Sequence, residues 1–214
     1  MRSLLLLIAS AASAAAPAQT APVSFEQAVL TELNRARERP AEVAQELRRY
    51  RATLRGLIAH QPGGNVRMQT VEGAAAVDEA IAFLERQRPL PGLSRSVLLG
   101  HAARGLMAEQ ARTGSIGHYS QDGRNPGGRV RAAGGGDAVG ETIAYGYDDP
   151  AAVVHQLIVD DGVRDRGHRT IIYMQEFRFA GVGCAPHPRY RHACTIDFSA
   201  TADGHRRPVL YASR

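Results

Sequence analysis

Apolar residues recur every three to four positions in several stretches between Phe25 and Ile158 and then gather into two short strand-like runs between Phe177 and Ser199. Helices are therefore expected first and strands last, the order of an α+β chain. Over 214 residues with 44% hydrophobic and 22% charged content, this pattern suits one domain around one core.

The first helical stretch carries Val29, Leu30, Leu33 and Ala36, then Val43, Ala44 and Leu47. The Arg39-Pro40 step divides it, because proline disfavours helix in the residue before it and suits the first turn after it. Glu72 to Arg86 and Ser96 to Thr113 resume the helical spacing, the latter closed by Gly114 as a left-handed cap. Gly114 to Gly140, rich in glycine, reads as loop, with neither a phosphate-binding glycine pattern nor a Walker lysine. Glu141 to Gly146 is short and strand-like. Pro150 opens a helix behind Asp148 and Asp149 that ends near Asp160-Asp161-Gly162, and Ile171-Ile172 suggests a further strand. The closing runs, 177–184 and 193–199, form a hairpin.

Met1-Arg2-Ser3, an apolar run from Leu4 to Ala9, and small residues up to Pro17 have the layout of a secretory signal, so residues 1–16 are set aside, with 17–24 as a linker. The apolar run is shorter than the ~20 residues a bilayer span needs, and no later stretch qualifies, so the mature chain is expected to carry no transmembrane segment and to be secreted or periplasmic. Export makes a Cys184–Cys194 disulfide across the hairpin the expected state. Two free buried thiols are the alternative, and a Cys/His metal site would need more sulfur. All 26 basic residues are arginine, and the net charge is +5. The charge is dispersed and comes with no stacking aromatics or known nucleic-acid module, which argues against nucleic-acid binding.

Of eight histidines, His118 and His168 each follow a glycine in a connecting segment, where functional side chains commonly project. His101, inside a helical pattern, reads as a surface or half-buried helix residue. Glu141 and the pair Asp160-Asp161 lie between His118 and His168 in sequence. Two imidazoles with two carboxylates suit a divalent ion such as zinc, and equally suit general acid–base chemistry in which a carboxylate orients the ring. No HExxH, CxxC or GxSxG motif is present. Ser115 and Ser120 flank His118 but sit where turn serines are usual.

Taken in order, Leu33-Asn34-Arg35, Gly117-His118, Gly140-Glu141-Thr142-Ile143, Gly167-His168-Arg169, Gly181-Val182-Gly183 and Ile196-Asp197-Phe198 resemble the CAP superfamily of cysteine-rich secretory, antigen 5 and pathogenesis-related proteins, above all bacterial SCP-like extracellular proteins. The matching elements span Phe25 to Ala200. The resemblance implies an α-β-α sandwich with a central antiparallel sheet flanked by helices, and a cleft lined by two histidines and two acids. Residue by residue these are His118, Glu141, His168 and an acid at Asp160, or at Asp161 if the register differs by one. Thr142 stands where the family usually has Asn, Leu157 where many members have Trp, and Asp160 where Glu is common. Residues 51–93 exceed the family's short linker and are expected to be an inserted helical segment of the 25–200 domain, with 201–214 as a tail.

The resemblance implies a binding module whose cleft holds a lipid, glycan or protein ligand, with zinc or another divalent cation at His118, Glu141, Asp160 and His168. Two alternatives stand beside it. One is a metal-assisted hydrolase using His118, Glu141 and His168. The other is an envelope component held by its basic surface, with a vestigial cleft.

Overall fold

The computed structural model describes residues 23–60 and 67–206. The signal segment, most of the linker, the loop 61–66 and the last eight residues of the tail lie outside the described residues.

Helix α1 (Phe25–Glu38) is capped by the Ser24 side chain, which accepts from Gln27 N–H, and α2 (Pro40–Thr53) starts on Pro40, as the Arg39-Pro40 step predicts. Strands β1 (Leu54–Arg55), β2 (Ile58–His60) and β3 (Arg67–Gln69) form a small antiparallel sheet, and α3 (Ala74–Arg86) follows. The segment after α2 is therefore part sheet and not wholly helical. The short β4 (Ser94–Arg95) leads into α4 (Val97–Thr113), whose cap Gly114 takes the expected left-handed conformation.

Two sequence expectations fail here for physical reasons. The glycine-rich stretch 114–140 contains α5 (Pro126–Ala132): Asn125 caps Gly128 N–H, Pro126 occupies the first turn, and these local signals outweigh the poor helix propensity of Gly127 and Gly128. Residues Ile171-Ile172 belong not to a strand but to α7 (Gly167–Ile172). Asp160 is eight residues upstream of His168 in sequence, and its Oδ2 accepts from the backbone N–H of both His168 (2.9 Å) and Arg169 (3.3 Å). It thus caps the helix from outside, a contact no local pattern encodes.

Strands β5 (Gly140–Tyr145), β6 (Phe179–His187) and β7 (Arg191–Ser199) form an antiparallel sheet in the order β6-β7-β5, joined at its edge by β4. Because β4 pairs with β6 in parallel, the sheet is mixed and not purely antiparallel. Cys184 and Cys194 face each other in the β6–β7 register, and they are disulfide-bonded as the sequence led one to expect. The β6 and β7 side chains alternate between two packed faces. Ala180, Val182, Ile196 and Phe198 join the core under α1 and α6 (Pro150–Val159), while Gly181 and Gly183 lie against α4. A Cβ on Gly181 would come within 2.0 Å of Gly100 N, and one on Gly183 within 2.4 Å of Arg104 N. The Gly-Val-Gly motif is thus what allows α4 to pack at backbone distance. Asn34 binds Leu93 in both directions, Nδ2 donating to its carbonyl (3.0 Å) and Oδ1 accepting from its N–H (2.7 Å), which ties α1 to the approach to β4.

Candidate functional site

Each histidine of the predicted cleft is held by a buried carboxylate. His118 Nδ1 lies 2.7 Å from Glu141 Oε1, and His168 Nδ1 lies 2.7 Å from Asp160 Oδ1. Both carboxylate side chains are 1% exposed, while the imidazoles are 44% and 23% exposed, so the acids sit behind the rings and the rings face solvent. A carboxylate at Nδ1 fixes the proton there and leaves the Nε2 lone pair outward. The two rings stand 6.3 Å apart, centroid to centroid, and tilted.

This arrangement reorders the four-residue set drawn from the sequence. Asp160, not Asp161, meets His168. The Asp161 carboxylate instead accepts from Val71 N–H (2.6 Å) and Glu72 N–H (2.8 Å) on the far side. Glu141 and Asp160 stand at the ring Nδ1 atoms, with side chains 1% exposed. Among the described residues no three His, Cys, Asp or Glu side chains converge as a ligand set. For a divalent ion the chain therefore offers the Nε2 atoms of His118 and His168, half of a tetrahedral zinc set, with the carboxylate-backed imidazoles that metal sites favour. The residues fit an open, solvent-completed site and not a closed structural one.

The loop carrying His118 is fixed by a cycle of three bonds. Gln110 Nε2 donates to Gly117 O (2.8 Å), Gly117 N–H donates to the Tyr145 hydroxyl (2.9 Å), and that hydroxyl donates to Gln110 Oε1 (3.0 Å). Gly117 has φ of +93°, which suits glycine. His187, buried at the end of β6, steadies the same loop: its Nδ1 accepts from Arg189 and Tyr190 N–H, which leaves Nε2 to donate to Ser115 O. The Ser115 hydroxyl pairs with Thr113 Oγ1 at 2.8 Å and so turns to the end of α4, away from a nucleophile's position beside His118.

Arg129 and Asp197 complete the site, and the sequence reading gave neither a role. The Arg129 guanidinium binds Glu141 Oε2 and donates to His118 O (2.7 Å), neutralising the carboxylate that orients the ring. Asp197 pairs with Glu141 in the β5–β7 register and is fully buried, with no hydrogen-bond partner on either oxygen among the described residues. Burial first, and then the Glu141 charge, push its carboxyl well above the usual carboxylate range, which favours its protonated form. A helix stretch hidden among glycines concealed Arg129. Asp197 stood in the quoted Ile-Asp-Phe motif, but only strand register sets it against Glu141. Thr142, on the opposite face of β5 from Glu141, is buried away from the cleft.

His155 forms a third carboxylate–imidazole pair, Nε2 to Glu46 Oε2 at 3.0 Å, inside a network in which Arg35 binds Glu46 and Glu32. Burial lowers its pKa more than Glu46 raises it, so this ring is held neutral between helices. His101 is exposed on α4, as expected.

A family model for the cysteine-rich secretory protein family, CAP, matches residues 30–198. No curated protein matches the chain. Among solved structures, an extracellular protein containing a SCP domain from Bacillus anthracis is similar at 22% identity over 57% of this chain and 39% of that one, with a TM-score of 0.44. An outer surface protein from Borrelia burgdorferi is similar at 15% identity over 51% of this chain and 77% of its own, with a TM-score of 0.42. The chain thus spans about two fifths of the Bacillus protein. With the family model covering both histidines, both orienting acids and the Gly-Val-Gly contact, the chain belongs to the cysteine-rich secretory protein (CAP) family.

Proposed function

We propose that the protein is an exported binding module in which His118 and His168 together receive a divalent cation or the polar end of a lipid, glycan or protein ligand. The observation that supports this reading is the paired geometry: two imidazoles, each with Nδ1 held by a buried carboxylate, stand with their ring centroids 6.3 Å apart. A divalent ion bound there would supply a Lewis acid for a carboxylate, carbonyl or phosphoryl group. His118 and His168 hold, Glu141 and Asp160 orient, and Arg129 pairs with Glu141 from the side away from the ring. The signal layout of residues 1–16 and the Cys184–Cys194 disulfide support export to the periplasm or beyond.

The same dyads favour a second reading, a hydrolase in which one ring acts as general base on water, since the ring hydrogen bonds run to carboxylates and not to a hydroxyl nucleophile among the described residues. Turnover abolished by His118→Ala would mark the hydrolase, whereas a binding module changes affinity only.

Calorimetric titration of zinc into the metal-stripped mature protein tests the first reading. One-site binding is expected, lost in the His118→Ala, His168→Ala double variant and weakened about 10- to 100-fold in Glu141→Gln or Asp160→Asn. Absent binding, or binding equal in the double variant, overturns the metal site. Salt-sensitive retention on anionic envelope material that ignores both histidines would then support the basic envelope component.

A further inference from the structure

A cavity of about 520 Å³ lies beside the paired histidines and not between them: His168 and Asp160 reach its wall, His118 and Glu141 do not. One side comes from β5 and α6, with Ile143, Leu157 and Val159. The other comes from the end of α2 and the 51–93 segment, with Tyr50, Ala59 and Val77. The volume falls in the range of small-molecule sites, and the lining is mostly apolar with two tyrosines, Tyr50 and Tyr147. Leu157 stands at a position where the family resemblance leads one to expect Trp, and a leucine there leaves room.

The charges along this wall are met within the chain, with one exception. Asp160 is taken by His168 and two backbone N–H groups, Asp161 by the N–H groups of Val71 and Glu72, and His155 by Glu46. Arg49, exposed on the rim, has no ion-pair partner among the described residues.

We propose that the cavity binds a compact apolar acid, with an aromatic or branched aliphatic body against Tyr147, Leu157 and Val77 and its anionic group against Arg49. Apolar burial supplies most of the attraction, and the guanidinium, pre-shaped for a planar oxyanion, selects the head. This deepens the binding-module reading but is separate from the metal, because His118 takes no part in the cavity.

The test is a fluorescence titration with two probes sharing one ring system: anionic 1-anilinonaphthalene-8-sulfonate and uncharged N-phenyl-1-naphthylamine. Each is expected to saturate at about one per chain and to be displaced from Leu157→Trp and Ala152→Phe, whose added rings fill the space. Arg49→Gln, an exposed change that spares the fold, is expected to weaken the sulfonate about fivefold or more and to leave the uncharged probe within about twofold. His101→Ala, an exposed change on α4 away from the cavity, is expected to change neither. Probe binding that survives both filling variants, with their melting temperatures unchanged, overturns the cavity as the site. An Arg49→Gln variant that binds the sulfonate like wild type overturns the acid. Wild-type protein that binds the probes but no zinc defeats the metal reading alone, and wild-type protein that binds zinc but neither probe defeats the cavity alone.

Discussion

Asp197 sits in surroundings that oppose its charge. A carboxyl with 0% exposure, facing another carboxylate and lacking a donor of its own, is held in a state disfavoured when charged. Its folded pKa is raised, so its contribution to stability is complete below the unfolded pKa near 4 and is lost as pH rises through the folded value. Asp197→Asn is therefore expected to stabilise the protein by about 1–3 kcal/mol at neutral pH, with a smaller gain toward pH 4. Urea unfolding across that range checks it, and parallel stability curves for the two proteins would refute it. The residue's placement was legible only as a motif letter. That Asp197 faces Glu141 follows from pairing two strands more than fifty residues apart in sequence, which no local spacing records.

Among the elements, the α4–sheet contact depends on two glycines, Gly181 and Gly183, that let strand backbone meet helix backbone. Gly183→Ala places a methyl within 2.4 Å of Arg104 N, and neither neighbour is a flexible side-chain end that could give way. A loss of about 1–3 kcal/mol is expected from such overpacking, seen as a lower urea midpoint, whereas Gly114→Ala meets nothing within 4 Å and costs only its left-handed backbone. A Gly183→Ala protein as stable as wild type would show that α4 can lift off. Helix ends at α2, α4 and α6 were readable because Pro40, Gly114 and Asp149 signal locally. Helix α7 was not, because its cap comes from Asp160, a residue itself held at φ 57° by the tertiary fold.

At the scale of the molecule, the 51–93 segment is clasped to the loop that leads into α7 and to α7 itself, which carries His168. Arg166, at φ 50°, binds Glu72 through both guanidinium ends (2.7 Å each) and Glu79, while Arg169 also reaches Glu79. The Arg166 hydrogen bonds draw Glu72 down from 4.5 to about 2. With a depressed folded pKa, the clasp is intact above pH 4.5 and loosens as pH falls toward 2. Its charges are partly exposed and screened, so a Glu72→Gln, Glu79→Gln pair is expected to cost under about 1 kcal/mol globally. Locally, amide exchange in residues 70–79 and 160–168 is expected to quicken about tenfold, since both strained loop residues lose support. Unaltered exchange there would mean that packing alone holds the segment in place.

The sequence alone determined the α+β class and the helix bend at Pro40, led one to expect the hairpin disulfide, and singled out His118, Glu141 and His168, because each rests on local periodicity, a cap or turn residue, or an ordered motif. Tertiary structure alone decided that Asp160 and not Asp161 backs His168, that Arg129 and Asp197 stand beside Glu141, that each acid meets a ring at Nδ1, and that the 51–93 segment walls a cavity. Those facts depend on strand register and on charges brought together across the chain, and a distance in space between such residues has no counterpart in their spacing along it.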